Sequence, residues 1–197
     1  MHEATVQETD QQELKRRLFD LLLLLAVERQ AVALASGQTS SVYIDCRQVY
    51  FRGDAQFIIG ELFYQVMVQN EVESSQFAAC GGMALGSIPL SCALSAAAFR
   101  RGREIPGFTV RKEPKLHGMK SMIEGNKCLR VNDRILLLED VVTTGGSAIR
   151  AINELRKEGV EIDTMLSIVD REQGGEGHLL KEGVKLCSLF RLSDFMR

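Results

Sequence analysis

The sequence predicts an α/β fold in which helices flank a mostly parallel central sheet. Three observations carry this. Residues 135–138 read ILLL, the unbroken apolar run that a strand covered on both faces requires. Further short β-like runs alternate along the chain with segments whose apolar residues recur at helical spacing. The passage from strand to helix is twice made by a glycine-rich turn, at Gly81-Gly82 and at Gly145-Gly146. With 197 residues and 45% hydrophobic content the chain can bury one continuous core, so a single domain over residues 1–197 is expected.

Taken in order, residues 11–35 are rich in Leu, Ala, Glu, Arg and Gln and lack Gly and Pro, which predicts one helix ending at Ser36-Gly37. Its apolar stretch at 21–27 is too short to span a bilayer. A short strand follows at 42–45. Phe57, Ile58, Leu62, Phe63 and Val66 place a helix over 55–70. Residues 77–80 form a strand that stops at Gly81-Gly82, and the small apolar residues of 88–99 form a helix packed closely on the sheet. Residues 100–125 have no sustained period and read as a strand at 108–111 followed by a long mobile loop, with the basic residues Arg100, Arg101, Arg103, Arg111, Lys112, Lys115 and Lys120 creating a local positive field. Strand, loop and helix recur over 134–158. A strand at 162–169, a polar glycine-rich stretch at 171–177, a short helix and a strand near 184–189 complete the chain.

The net charge of −2 gives no electrostatic footprint for nucleic acid or an anionic membrane. Cys46, Cys80, Cys92, Cys128 and Cys187 are odd in number and widely spread, with no CxxC pair, so they read as buried small hydrophobes in a reduced, cytoplasmic protein without structural zinc. No signal peptide or lipidation motif is visible. His2 and His178 are expected at the surface.

Chemistry concentrates in RILLLEDVVTTGGS, residues 134–147. The strand delivers Glu139 and Asp140, then Val141 and Val142, then Thr143, Thr144, Gly145, Gly146 and Ser147. Ala148, Ile149, Ile152 and Leu155 mark the amphipathic helix that follows. A helix N-terminus entered through glycines and hydroxyls is an anion site, because its first amides lack intrahelical partners and the dipole favours negative charge. No GxxxxGK[ST] or GxGxxG motif is present, which argues against a nucleoside triphosphatase or a dinucleotide enzyme. The acidic pair beside an anion site is suited to sugar hydroxyls, which donate to carboxylates.

A phosphate cradle joined to a diol-binding pair resembles the phosphoribosyl pyrophosphate motif of the type I phosphoribosyltransferases, whose fold is Rossmann-like with a small N-terminal hood over the base. VRKEPKLHG, residues 110–118, is similar to the loop of orotate phosphoribosyltransferases. The resemblance implies that Arg111, Lys112, Lys115 and His117 contact pyrophosphate and that residues 139–147 hold the ribose 5-phosphate. It also implies that Lys115 and Asp140 are catalytic and that Thr143 and Arg171 meet orotate; Asp170, adjacent in sequence, is a candidate partner for Arg171 whether or not the resemblance holds. Residues 1–50 would supply the first helix and hood, and 106–125 a mobile loop shared across a homodimer. Magnesium would be carried mainly by the substrate, with no protein ligands of its own. ASGQTSSVYID, residues 35–45, is similar to the family's hood but has Ala35 and Ser41 where many members carry lysine and proline. Leu85 and Gly86 replace a common tyrosine and lysine. Two other readings stay open: a phosphoribosyltransferase for another base, and a regulator that senses phosphoribosyl pyrophosphate.

Overall fold

The computed structural model describes residues 11–28, 32–33, 39–40, 42–71, 75–113 and 121–196. The chain opens with α1 (Gln11–Leu25), then β1 (Val27–Glu28), β2 (Val32–Ala33), β3 (Thr39–Ser40), β4 (Tyr43–Ile44), α2 (Arg47–Tyr50) and α3 (Gly53–Gln69). It continues with β5 (Ala79–Met83), α4 (Ser87–Phe99), β6 (Gly107–Val110), β7 (Ile123–Glu124), β8 (Arg134–Val142), α5 (Gly146–Arg156), β9 (Glu161–Asp170), α6 (Gly175–Lys181) and β10 (Lys185–Arg191). Six strands form the main sheet in the order β10-β9-β8-β5-β6-β7, all parallel except the β6–β7 pair.

β8 lies between β9 and β5, and its alternating side chains build a core on each face. Leu136 and Leu138 join the cluster made with α1, α3 and α4, including Leu18, Ile59 and Leu94. Ile135 and Leu137 join the opposite cluster with Ala151, Ile152 and Leu155 of α5. The ILLL run is therefore apolar at every position because it has no solvent face. Going outward from β5 the chain winds one way, and going outward from β8 it winds the other. The crevice between their carboxyl ends is the topological switch point, where open α/β sheets bind ligands.

Three elements differ from the sequence expectation. α1 stops at Leu25, not at residue 35: Leu14, Leu18 and Leu22 bury its apolar stripe, after which Val27 and Glu28 pair antiparallel with Ile44 and Tyr43. Tertiary pairing with β4 overrides the helix propensity of that stretch. The expected end at Ser36-Gly37 lies outside the described residues. Gly81 and Gly82 belong to β5 instead of ending it, since a Cβ on Gly82 would stand 2.2 Å from the Leu138 carbonyl oxygen of β8. Here glycine permits close backbone approach, not a turn. Finally, 123–124 form an antiparallel edge strand, so β6 and β7 frame residues 114–120, which lie outside the described residues.

No described helix is long and apolar enough to cross a membrane.

Candidate active site

A cavity of ≈ 660 Å³ opens at the switch point. β8 reaches it first. The strand runs on to Val142, so Glu139 and Asp140 sit inside the ladder, with Glu139 opposite Ser167 of β9, and are not part of a loop after it. Both line the cavity with Val141. Burial pushes the Glu139 carboxyl up to about 8, and the neighbouring Asp140 adds to this while Arg150 and Lys112 oppose it. Asp140 is raised for the same first reason, partly offset by the Val141 amide, which donates to Oδ1 at 3.0 Å, and by Arg47.

The wall facing Asp140 is the turn after β5, Ala84 to Gly86. A Cβ on Gly86 would lie 2.6 Å from Asp140 Oδ1, so only glycine leaves the carboxylate where it is. The cradle follows. Thr143, Thr144 and Ser147 line the cavity, and Gly145 adopts φ +79° as the N-cap of α5, a left-handed conformation suited to glycine. Gly146 begins α5. Val142 is buried below the cradle, and its carbonyl accepts from the Arg171 amide at 2.8 Å.

Arg171, the first residue after β9, also lines the cavity while only 3% exposed, and its guanidinium donates to the Val42 carbonyl at 2.8 Å. The neighbouring Asp170 accepts from the Glu172 amide at 2.9 Å. Lys112 also lines the cavity. Arg111 donates to Glu124 at 3.0 Å across the β6–β7 pair, and Lys115 and His117 lie outside the described residues.

Among the described residues, part of the positive charge expected from residues 100–120 is spent on carboxylates of the fold. Arg100 and Arg101 both donate to the buried Glu61, and Arg103 donates to Glu71 at 2.6 Å. These cations lock α4 and its exit to α3 and the loop after it. The cysteine expectation holds for Cys46 and Cys80, which are buried; Cys92 is exposed, and Cys128 and Cys187 are intermediate.

Sequence reasoning missed Asp45 and Arg47. They line the cavity from the start of α2, where Asp45 accepts from Arg47 at 2.6 and 3.0 Å and from the Gln48 side chain at 3.3 Å. Burial works against the Asp45 charge, but these donors outweigh it and hold the carboxyl below its ordinary value. The only sequence signal was an acid and a base two positions apart after a short strand, too common a pattern to single out.

An orotate phosphoribosyltransferase of Aquifex aeolicus is 38% identical over 180 residues, which cover 91% of this chain and 94% of that protein. The chain belongs to the orotate phosphoribosyltransferase family. Solved structures of this family agree. The Mycobacterium tuberculosis orotate phosphoribosyltransferase in complex with Fe(III) dicitrate superposes with TM-score 0.78 at 31% identity, covering 92% of this chain and 98% of that one. The same enzyme in complex with phosphoribosyl pyrophosphate gives TM-score 0.74 at 30% identity, over 93% and 99% of the two chains. No family model matches the chain.

Proposed function

We propose that the protein transfers the phosphoribosyl group of 5-phosphoribosyl 1-pyrophosphate to orotate, giving orotidine 5′-phosphate and pyrophosphate in pyrimidine biosynthesis. The observation that carries this reading is the order of groups along one strand and turn: two carboxyls on β8, then a hydroxyl- and glycine-rich entry to α5, with Glu139, Asp140, Thr143, Thr144 and Ser147 lining one cavity. The carboxyls match the ribose hydroxyls, and the amides and hydroxyls of 143–147 match the 5′-phosphate. Arg171, whose amide is bonded to the Val142 carbonyl just before the cradle, brings a planar guanidinium to the same cavity for the orotate carboxylate, and Thr143 lines that cavity beside it.

As the bond to pyrophosphate breaks, positive charge grows at the anomeric carbon and negative charge on the leaving group. Asp140, beside the sugar, stabilises the former. Arg111, Lys112, Lys115 and His117, carried on the segment 106–125 as a closing loop, stabilise the latter and exclude water. In this reading the loop serves the neighbouring subunit of a homodimer, residues 1–50 hood the base, and the enzyme works in the cytoplasm. Among the described residues no group of three or more His, Cys, Asp or Glu is placed to hold a metal ion. With Glu139 and Asp140 in the cavity, this donor set suits magnesium carried by the substrate. Bound there, magnesium supplies charge neutralisation on the pyrophosphate and orients it.

The test is to mix the protein with orotate, phosphoribosyl pyrophosphate and magnesium and follow orotate absorbance. Turnover is expected; turnover only with a different base would overturn the acceptor assignment.

A further inference from the structure

The cradle that opens α5 is gripped from outside by α6. The two are in close contact: a Cβ on Gly175 would stand 2.6 Å from the Thr143 carbonyl oxygen and 2.5 Å from a Val142 methyl carbon. One turn further along, His178 reaches back, and its Nδ1 lies 2.9 Å from the Thr144 carbonyl oxygen. A carbonyl only accepts, so Nδ1 carries the hydrogen. Thr144 thus lines the cavity while its carbonyl is tied to α6, on the element behind the site.

The unit joining Thr144 to Gly145 is planar, so anchoring its oxygen fixes the direction of the whole unit. Gly145, at φ +79°, has no Cβ to resist rotation of that unit. Rotation would turn the negative end of a carbonyl dipole toward the anion that the cradle is built to hold.

We infer that His178 is a positioning residue for phosphate recognition: its Nδ1–H holds the Thr144 carbonyl away from the cavity, so that the cradle presents donors and not an acceptor to the 5′-phosphate. The inference rests on the reading of 143–147 as the 5′-phosphate site. His178 itself is exposed on α6, is absent from the cavity wall and acts only through Thr144.

Three variants of the full-length protein test it: His178→Ala, His178→Gln and His178→Asn. The Asn amide nitrogen stands near the place of Nδ1, whereas that of Gln stands nearer Nε2. Losing one such hydrogen bond is expected to raise KM for phosphoribosyl pyrophosphate by about 3- to 10-fold in the Ala and Gln variants. Their kcat and KM for orotate stay within about twofold of wild type, as expected of a lost hydrogen bond that bears only on phosphate binding. The Asn variant recovers the wild-type KM. Calorimetry with ribose 5-phosphate should show the same ranking without turnover. An unchanged KM in the Ala variant, or an Asn variant no better than Ala, overturns the role of His178. Wild-type protein that neither binds ribose 5-phosphate nor turns over overturns instead the reading of the cradle.

Discussion

Replacing Glu139 by Gln is expected to stabilise the protein at alkaline pH while weakening its grip on the ribose. The folded protein holds the Glu139 proton up to about pH 8, against an ordinary value of 4.5. Between those two values the folded state binds more protons than the unfolded state, so stability falls as pH rises through that window and levels off above it. Each tenfold change in proton affinity corresponds to about 1.4 kcal/mol, which sets an upper bound of roughly 5 kcal/mol for the full displacement. The carboxyl lines an open cavity, and solvent screening reduces this to roughly 1–3 kcal/mol. Urea denaturation of wild type and Glu139→Gln, measured from pH 5 to pH 9, would follow the difference. The variant should match wild type at pH 5, gain steadily to about pH 8 and then run parallel to it. Asp140 acts in the same direction and is present in both proteins, so it cancels to first order. A gap that does not change with pH would refute the reasoning. The same variant should bind phosphoribosyl pyrophosphate more weakly, because it trades an ionisable acceptor for a neutral amide. A site that is less stable because it is built for its ligand is the expected pattern for such a trade.

Arg171→Ala should lower kcat/KM for orotate by about 100-fold or more, with a much smaller change in KM for phosphoribosyl pyrophosphate, measured by initial rates at saturating co-substrate. Gly86→Ala places a methyl 2.6 Å from Asp140 Oδ1 and should raise KM for phosphoribosyl pyrophosphate by about 10-fold, while thermal melting shows a fold still intact. Glu61→Ala leaves Arg100 and Arg101 without their shared acceptor and should destabilise by about 2–4 kcal/mol in urea, with both KM values unchanged.

The parts of the molecule that the sequence made legible are those where local pattern and tertiary role coincide. The ILLL run of β8 is apolar because it is buried on both faces, and the TTGGS turn combines a left-handed glycine that starts α5 with hydroxyls that line the cavity. Both could be read without knowing their neighbours. Elsewhere the decisive partner was far away in sequence. α1 ends where β4 captures the chain, Gly82 is in a strand because β8 presses against it, and the arginines of 100–103 are paired with Glu61 and Glu71, carboxylates 32 to 40 positions away. His178 and Arg47 were invisible for the same reason. One contacts a carbonyl 34 positions away, and the other borders a cavity whose opposite wall lies on β8.

Glu139 and Asp140 are held within a central strand, laddered to β9 alongside and followed by residues 143–147 without a break, so this side of the cavity is set by the sheet itself. Residues 42–47 and 171–173, by contrast, lie at the ends of short or terminating elements. Selection or engineering for a different nucleobase should therefore succeed by rewriting those two edges, and should fail whenever it touches the strand that carries the carboxyls.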